Sequence, residues 1–476
     1  MKQSNVIQKL SLFLAFILTA AFIQAQDMKS FVKEYLAYYD SIQNFRYYDQ
    51  RGINVFEAPK DNVTFQGLRV RFGAGFSQQF QNIKHENYIN AGGASRLDSN
   101  ANLLYPLSPG FNTAMANLNM DVQLADGIRL NLVTYLSSRH HNEAWVKGGY
   151  IQFDKLPFKG KFWDDMMKII TLKVGHMEIN YGDQHFRRSD GGQTLFNPFM
   201  ENYIIDAFTT EIGGEVLARW NGFYGLIGLT NGEIKGDVKE GTPTVTDPNP
   251  KKSPAIYLKG GFDKNLSEKF RVRVSGSYYK DNSSTNNTLF WGDRTGSNYF
   301  MAQEAAFFTK NGVRTGGNPT DNAWSGRVNP GYSDRTQGMQ FNGFAKWGGL
   351  EFFGTIEKGK GRSAAETKDR EFTQLAGELI YRASVGGTEN LWLGVRYNTV
   401  NATQRINPII TPNPPAPFDV NIQRTSISAG WFLTRNVMLK GEYVIQNYND
   451  YPTVAYATQY TKGKFSGYVI QAVVGF

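Results

Sequence analysis

Apolar and polar residues alternate with a period of two through most of this chain, from about residue 62 onward. In the stretch 68–76 every second residue is apolar, whereas Arg69 and Arg71 occupy the other face. The stretch 116–124 alternates without a break, and Ala125-Asp126-Gly127 after it is typical of a hairpin turn. This pattern predicts strands that have one apolar and one polar face.

Short turns and long polar loops separate these strands alternately. The long loops cover residues 231–253, 281–335 and 401–420 and are rich in Gly, Asn, Ser, Thr or Pro. Short turns alternating with long loops are typical of membrane barrels, in which the short turns lie on the periplasmic side. We therefore predict an all-β fold, a transmembrane antiparallel β-barrel of about 16 strands over residues 62–476.

A soluble β-sandwich is the main alternative, because its strands alternate as well. Its outer face is polar, and most of its large apolar residues lie inside. Here the polar face of nearly every strand carries Arg, Asn, Gln or Asp, and the other face carries Phe, Tyr, Trp and Leu. Together with the two ends of the chain, this division favours the barrel.

The last strand ends in an aromatic residue and carries apolar residues at every second position before it. Its apolar face consists of Tyr468, Ile470, Ala472, Val474 and Phe476. This pattern resembles the C-terminal signature of bacterial outer-membrane barrels, which implies recognition by the barrel-assembly machinery. An edge strand of a soluble sandwich is the alternative for this stretch taken alone.

The beginning of the chain has the features of a secretory signal peptide. Lys2 and Lys9 precede an apolar run over residues 10–23, and a small residue, Ala25, follows. The run is shorter than the roughly 20 residues of a membrane-spanning helix. We predict a signal peptide over residues 1–25 and export to the cell outer membrane.

Residues 26–61 do not alternate and are predicted to form a periplasmic N-terminal segment. Aromatic and apolar residues recur there at intervals of three to four, which predicts a short amphipathic helix. An extended linker over residues 51–60 follows. The spaced residues are Phe31, Tyr35, Tyr38, Ile42 and Phe45.

Composition agrees with strands that are apolar on one face only. Aromatic residues make up 14% of the 476 residues, there are 49 Gly, and mean hydropathy is −0.42. The absence of Cys excludes disulfides, thiol catalysis and lipid attachment through cysteine. The net charge is +9, and removing Lys2 and Lys9 leaves +7, since no acidic residue precedes Asp27.

The polar faces of the strands line the lumen if the apolar faces meet lipid. Inward cations raise the local concentration of anions, so an anion channel is predicted. Acidic residues of the same parity are about half as numerous, and pairing with them is the alternative role of these cations. The pore-lining candidates are Arg69, Arg71, Arg129, Lys173, Arg219, Arg271, Arg273, Arg382 and Arg396, together with Lys346, Arg424 and Lys440; the acidic residues are Asp121, Glu215, Glu351, Glu378 and Glu442.

The stretch 171–192 is the most distinctive one inside the chain. A strand with the sequence Leu-Lys-Val-Gly leads into a segment that is bounded by Gly. This segment contains two adjacent Arg residues. It resembles the strand and loop of the phosphate-selective porins O and P, and the stretch 54–57 with the first strand is similar to predicted porins of Bacteroidota-type bacteria. The resemblance implies a loop that folds into the pore, passive diffusion of small anionic, phosphate-like solutes, and a homotrimer. The implied constriction consists of Arg187, Arg188 and His185, with Asp183, Asp190 and Glu201 opposite. An ordinary extracellular loop is the alternative.

Two other classes of function remain to be compared with a porin. None of the five His lies in a Gly-x-Ser-x-Gly motif, and the neighbours His140 and His141 point to opposite faces of a strand. We therefore predict no catalytic residues, no metal, no cofactor and no nucleic-acid partner. A non-conducting accessory or adhesin-like barrel, whose long loops bind a protein, is the alternative to the porin.

Overall fold

The computed structural model describes residues 42–88, 103–136, 144–236, 238–243, 248–310, 313–316, 324–386, 388–405, 416–453 and 459–476. The predicted signal peptide and the three spaced aromatic residues Phe31, Tyr35 and Tyr38 lie outside the described residues. Ile42 and Phe45, the last two residues of the predicted helical pattern, lie in a turn and a coil. Further on, Gln50–Gly52 forms one short 3-10 turn.

Sixteen long strands form one closed antiparallel barrel, as the alternation predicted. They are β1 (Arg69–Glu86), β3 (Met115–Ala125), β4 (Ile128–Leu136), β5 (Ala144–Phe153), β6 (Ile170–Glu178), β7 (Thr210–Trp220), β8 (Phe223–Thr230), β9 (Ala255–Asn265), β10 (Phe270–Asp281), β13 (Arg335–Trp347), β14 (Leu350–Arg362), β15 (Arg370–Val385), β16 (Thr388–Gln404), β17 (Phe418–Thr434), β18 (Val437–Asn449) and β19 (Lys464–Gly475). The two-residue strand β2 (Gly110–Phe111) pairs with β1, and β11 (Phe307–Lys310) pairs with β12 (Val313–Gly316) in a separate hairpin.

Consecutive strands of the barrel are neighbours, and the last strand pairs with the first. β19 runs antiparallel to β1, with partners from Gly75 and Gly475 to Glu86 and Lys464. β1 continues ten residues beyond the predicted 68–76, so its second half can pair with the whole of β19. Closure leaves no free sheet edge, which is the condition for strands to span a bilayer.

The two faces of each strand differ in the way the alternation predicted. On β14, Leu350, Phe352 and Ile356 are exposed on the outer face. Glu351 and Glu357 on the inner face are fully buried. The outer wall is therefore an apolar belt, and a belt of this extent is covered by lipid in membrane barrels.

One end of the barrel carries tight connections and is called the short-turn end. The turn between β7 and β8 consists of Asn221 and Gly222, both with positive φ, as a two-residue hairpin turn requires. The connection from β5 to β6 is longer and contains the helix α1 (Lys161–Met167). None of the helices among the described residues is long and apolar enough to cross a bilayer.

Candidate functional site

Residues 42–63 form an N-terminal ring that lies against the lumen wall at the short-turn end. The Gln50 amide donates to the carbonyl of Arg435, which is in the turn between β17 and β18 (3.0 Å). Asn54 Nδ2 donates to Glu351 on β14 (2.7 Å). The segment that was predicted as an extended linker therefore packs into the mouth of the barrel.

Hydrogen bonds join the two ends of this ring. The Asn44 amide donates to Asp61 Oδ2 (2.7 Å), and the Asp61 amide donates to Asn44 Oδ1 (2.8 Å). Gln43 Nε2 also donates to the carbonyl of Val63 (2.7 Å). The ring is thus closed on itself and narrows the short-turn end.

The connection between β6 and β7, residues 179–209, is an inward loop that crosses the lumen. Wall side chains bind its backbone directly: Lys440 Nζ on β18 donates to the carbonyls of Thr194, Asn197 and Phe199 at 2.8–3.0 Å. Near Gly192 the loop touches β1 and β3 so closely that an added Cβ would lie 2.5 Å from the Gly75 carbonyl oxygen. The loop is consequently fixed to the wall.

Arg187 of the inward loop lies in a buried charge network. Its Nη2 is 2.7 Å from Glu351 and 3.0 Å from Glu378. Arg382 lies 3.0 Å from Glu351, and Arg396 lies 2.8 Å from Glu378. Two carboxylates thus bind three guanidiniums, all shielded from water, and the ion pairs of Arg187 attach the loop to the wall.

Asp183 forms a second network that joins the ring, the inward loop and the wall. Arg273 on β10 lies 2.7 Å from Asp183 and 2.8 Å from Glu57 of the ring. Lys259 on β9 lies 2.7 Å from Asp183 and 3.1 Å from Glu57. Burial alone would raise the pKa of Asp183, but Lys259 and Arg273 outweigh it and lower that pKa to about 2.

The connection between β10 and β13 packs over the inward loop from the other end of the barrel. The Val328 amide donates to the carbonyl of Ile204 (2.7 Å). Ser297 Oγ donates to Glu201 (2.7 Å), and Arg327 lies 3.4 Å from the same carboxylate. This second loop therefore covers the part of the lumen that the inward loop already fills.

A cavity of about 260 Å³, here called the inner cavity, remains between the ring, the inward loop and strands β3 to β7. Aromatic rings from all three parts line it: Phe45, Tyr48, Phe56, Tyr150, Phe186 and Phe196. Six cationic side chains line it as well, against three carboxylates. The cations are Arg46, Arg129, Lys147, Lys173, Arg188 and Arg219, and the carboxylates are Glu57, Glu178 and Asp190.

The wall of the inner cavity carries a row of polar groups across adjacent strands. Arg129, Gln152 and Lys173 are register partners on β4, β5 and β6, and Arg129 donates to Gln152 (2.7 Å). Lys173 lies 3.0 Å from Glu215 on β7, yet the lysine side chain is 26% exposed and the carboxylate 1%. The ammonium therefore faces the cavity, whereas its counter-charge lies behind it.

A second cavity of about 430 Å³ opens at the short-turn end. It shares Phe56, Glu57 and Arg219 with the inner cavity. Arg219 donates to the carbonyls of Glu57 (3.2 Å) and Ala58 (2.6 Å). The three shared residues lie between the two cavities and are here called the neck.

The structure divides the predicted pore-lining residues among three environments. The inner cavity is lined by Arg129, Lys173, His185, Arg188 and Arg219, and the cavity at the short-turn end by Arg219, Arg271 and Arg273. The packed part of the lumen contains Arg187, Arg382 and Arg396. Arg69 and Arg71 lie on β1, where the guanidinium of Arg71 is 4.3 Å from the ring of Phe45.

Other polar residues of the predicted lumen face lie at the wall as well. Lys346 lies 2.7 Å from Glu389, and Arg424 donates to the carbonyl of Asn202 in the inward loop (2.6 Å). Glu442 accepts from the Met200 amide (2.9 Å).

Of the residues implied at a constriction, His185 and Arg188 line the inner cavity, whereas Arg187 lies in the packed part of the lumen. Arg188 lies 2.6 Å from Asp206, and its guanidinium is 3.7 Å from the ring centre of Phe208. His185 lies between Glu178 (2.6 Å) and Asn180 (3.0 Å). Burial lowers the pKa of His185 below its usual value although Glu178 opposes this, so the neutral imidazole is favoured at neutral pH.

The three carboxylates expected opposite the arginines also lie apart. Asp183 binds Arg273, Asp190 lines the inner cavity beside Lys147, and Glu201 lies beside Arg327. Each therefore neutralises a different cation.

Arg46, Lys147 and Lys259 are charged residues of the lumen that the sequence reasoning did not single out. Lys259 has the parity of the buried Tyr257 in a predicted strand, so alternation alone could have identified it. Arg46 donates to the carbonyls of Gly52 (3.0 Å) and Phe186 (2.8 Å). No periodic pattern predicts that Arg46 lies in the lumen, because its place depends on how the ring folds.

The apolar residues of the last strand lie on the outer wall. Tyr468, Ile470, Ala472 and Phe476 are exposed there, and Val474 is half-buried. Recognition by the assembly machinery stays a prediction. Within the described ranges, no group of three or more His, Asp or Glu side chains is arranged to hold a metal ion.

No protein-family model matches the chain, and no curated protein sequence matches it. Several solved structures are similar in shape. The anion-selective porin from Comamonas acidovorans is 11% identical with a TM-score of 0.47, over 86% of this chain and 100% of that chain. OmpT, an outer membrane protein of Vibrio cholerae, is 9% identical with a TM-score of 0.46, over 87% and 99%. The outer membrane channel DcaP of Acinetobacter baumannii is 10% identical with a TM-score of 0.45, over 87% and 99%. Likenesses this distant carry no information about selectivity.

Proposed function

We propose that this chain is an outer-membrane porin that passes small hydrophilic solutes by passive diffusion through the inner cavity and the neck below it. The observation that carries the proposal is a cavity with charged walls inside the lumen of the barrel. Residues 1–25 would direct export, and the short-turn end would face the periplasm. No covalent step is involved.

The solutes are proposed to be anionic, with phosphate-like ions among them. Cationic groups outnumber carboxylates on the cavity surface, and the partner of Lys173 lies behind it rather than in the path. In a low-dielectric wall such groups raise the local concentration of anions. Inorganic phosphate, added to a chloride current, should reduce that current if phosphate-like ions bind along the path.

Conductance of the purified mature protein in a planar lipid bilayer, measured under a salt gradient, tests both the porin function and the anion preference. We expect stable open steps and a reversal potential that favours anions. A folded barrel that changes its gel mobility on heating but never conducts would contradict the porin. Open steps with a cation-favouring potential would contradict only the anion preference.

A non-conducting accessory barrel that binds a protein partner is the second candidate. It is favoured by one observation: the ring, the inward loop and the second loop fill most of the lumen. Removal of the ring distinguishes the porin from the accessory barrel. A porin without the ring should conduct more, whereas an accessory barrel should stay closed because its two loops still block the lumen.

Two further proposals concern assembly. The chain would form a homotrimer, and its last strand, through Tyr468, Ile470, Ala472, Val474 and Phe476, would be read by the barrel-assembly machinery. Removing Phe476 should reduce the amount of folded barrel in outer membranes without altering synthesis. Cross-linking in native membranes should yield a trimer. Detection of monomers alone would contradict the homotrimer.

A further inference from the structure

The connection between β5 and β6 differs from the other described connections at the short-turn end. Residues 154–169 separate these two strands, whereas two residues, 221–222, separate β7 from β8. The part from 155 to 169 contains α1 and is called the α1 segment.

Three aromatic rings of the α1 segment form a cluster outside the barrel. The ring centres of Phe158 and Trp163 are 5.0 Å apart, and those of Phe162 and Trp163 are 5.1 Å apart. Phe158 is 54% exposed and Phe162 is 68% exposed. Adjacent exposed aromatic residues usually mark a surface that contacts a partner or a membrane.

The α1 segment ends beside the apolar belt of the outer wall. Ile169, at the end of the α1 segment, is exposed. Its neighbour Ile170 pairs with Ala218 on β7, and the exposed Trp220 and Phe223 follow on that side. The α1 segment therefore joins the barrel at the lower border of the lipid-facing surface.

The polar residues of the α1 segment carry an excess of positive charge. Four exposed lysines, Lys155, Lys159, Lys161 and Lys168, stand against Asp164 and Asp165, which gives 4 − 2 = +2. Lys161 and Lys168 both pair with Asp165 but remain 87% and 72% exposed. Such lysines can reach the phosphates of phospholipids while the rings enter the layer below.

The base of the α1 segment is fixed to the barrel. Lys60 of the N-terminal ring donates to the carbonyl of Ile170 (2.6 Å) and also contacts the carbonyl of Met167. Met167 itself is buried. The base of the segment is thus attached to the N-terminal ring, while Phe158 and Phe162 stay exposed.

We propose that the α1 segment is a phospholipid-binding surface, with Phe158, Phe162 and Trp163 in the headgroup layer of the periplasmic leaflet and the lysines at anionic lipid phosphates. The proposal requires the barrel to lie in a membrane, as the proposed function does, but it does not require conduction. It commits to lipid rather than to a protein, because the segment joins the lipid-facing belt at the exposed Ile169 and its own net charge is positive.

The chain has no Cys, so single labels can be placed without further changes. Phe162→Cys and, separately, Phe158→Cys would carry a bimane label in the full mature barrel, reconstituted into phosphatidylethanolamine vesicles with or without phosphatidylglycerol. Nitroxide lipids would quench the label from the headgroup layer or from deep in the acyl chains. Glu268→Cys, on the exposed turn between β9 and β10, is the matched control, and Ile356→Cys on the belt reports insertion.

We expect headgroup nitroxides to quench labels at 158 and 162 several-fold more than the label at 268, with little quenching by aqueous iodide. Lys159→Gln with Lys161→Gln and Lys168→Gln should weaken that quenching only in vesicles that contain phosphatidylglycerol. Equal iodide access at 162 and 268, with Ile356 quenched from the acyl chains, would overturn the proposal and leave the membrane barrel intact. Protection from iodide without quenching by nitroxide lipids would indicate a protein occupant and also overturn it. An unquenched label at 356 would instead contradict membrane insertion itself.

Discussion

The wall from β9 to β19 and the wall from β3 to β7 enclose the same lumen, but their inward side chains end in different surroundings. On the first wall, Lys440 binds three carbonyls of the inward loop, and Gln374 binds the amide and carbonyl of Ile205 (2.9 and 2.8 Å). On the second wall, Lys173 and Arg129 end at a cavity. The same inward position on a strand therefore serves attachment of a loop on one wall and lines a cavity on the other.

This contrast separates two uses of buried charge. On the packed side, cation and carboxylate are both removed from water, so removing a cation leaves buried carboxylates with fewer partners. On the open side, the cation keeps contact with water while its carboxylate lies behind it. Stability measurements should respond to the first set and permeability measurements to the second.

Removal of residues 42–63 should have the largest effect, because the ring occupies the short-turn end and contributes Phe56 and Glu57 to the neck. We expect a several-fold rise in single-channel conductance. Asn44→Ala with Asp61→Ala is the milder variant, since it removes only the bonds that close the ring, and it should raise open-state noise. Unchanged conductance in a correctly folded deletion variant would place the path elsewhere.

Arg187→Ala should destabilise the packed side by about 1–3 kcal/mol, because Glu351 and Glu378 lose a shared buried donor while Arg382 and Arg396 still neutralise them. Urea unfolding, followed by heat-modifiable gel migration, measures this. Ion preference should change little. Lys147→Ala is the control on the open side and should cost less, since both side chains of its pair with Asp190 reach water. A pronounced shift toward cations in Arg187→Ala would instead assign Arg187 to the constriction.

Arg129→Gln and Lys173→Gln should each lower the anion-to-cation permeability ratio several-fold, since the field in a narrow cavity is set by the nearest charges. Arg188→Ala should act in the same direction, because Arg188 also lines the inner cavity. Lys358→Gln, which removes an exposed cation from the outer wall, is the matched control. Equal ratios in all four variants would remove the inner cavity from the selectivity mechanism.

The smallest effect is expected for the stability of the fold when the pH is lowered from about 7 to about 4. The folded-state pKa of Asp183 is about 2, below the ordinary value of roughly 3.9, because Lys259 and Arg273 outweigh burial. The ionised Asp183 therefore stabilises the fold at any pH above its unfolded-state pKa. This contribution is lost as the pH falls through its folded-state pKa. The urea midpoint of unfolding should stay constant from about pH 7 to about pH 4, and it should decrease when the pH falls below about 4. Asp183→Asn, which lacks this carboxylate, should be less stable at pH 7 and lose less on further acidification.

Strand positions could be read from the sequence because each strand needs only its own alternation of residues. Lys173, Arg273 and Arg396 all lie on the inner face, as their parity indicates. Their surroundings could not be read in the same way. Arg396 contacts a carboxylate and the backbone of the inward loop, whereas Lys173 lines a cavity. The difference depends on where residues 42–63 and 179–209 fold.

The sequence by itself determined the closed barrel of 16 strands, the outer apolar belt and the inward side chains, because side-chain direction in a strand follows a local period of two. The tertiary structure decided which inward charges face a cavity and which are packed. It placed Arg187 between Glu351 and Glu378, residues 164 and 191 positions away, through the folding of a loop that has no period. Contacts between such distant residues arise from closure of the barrel and the packing of loops inside it, and no local pattern encodes them.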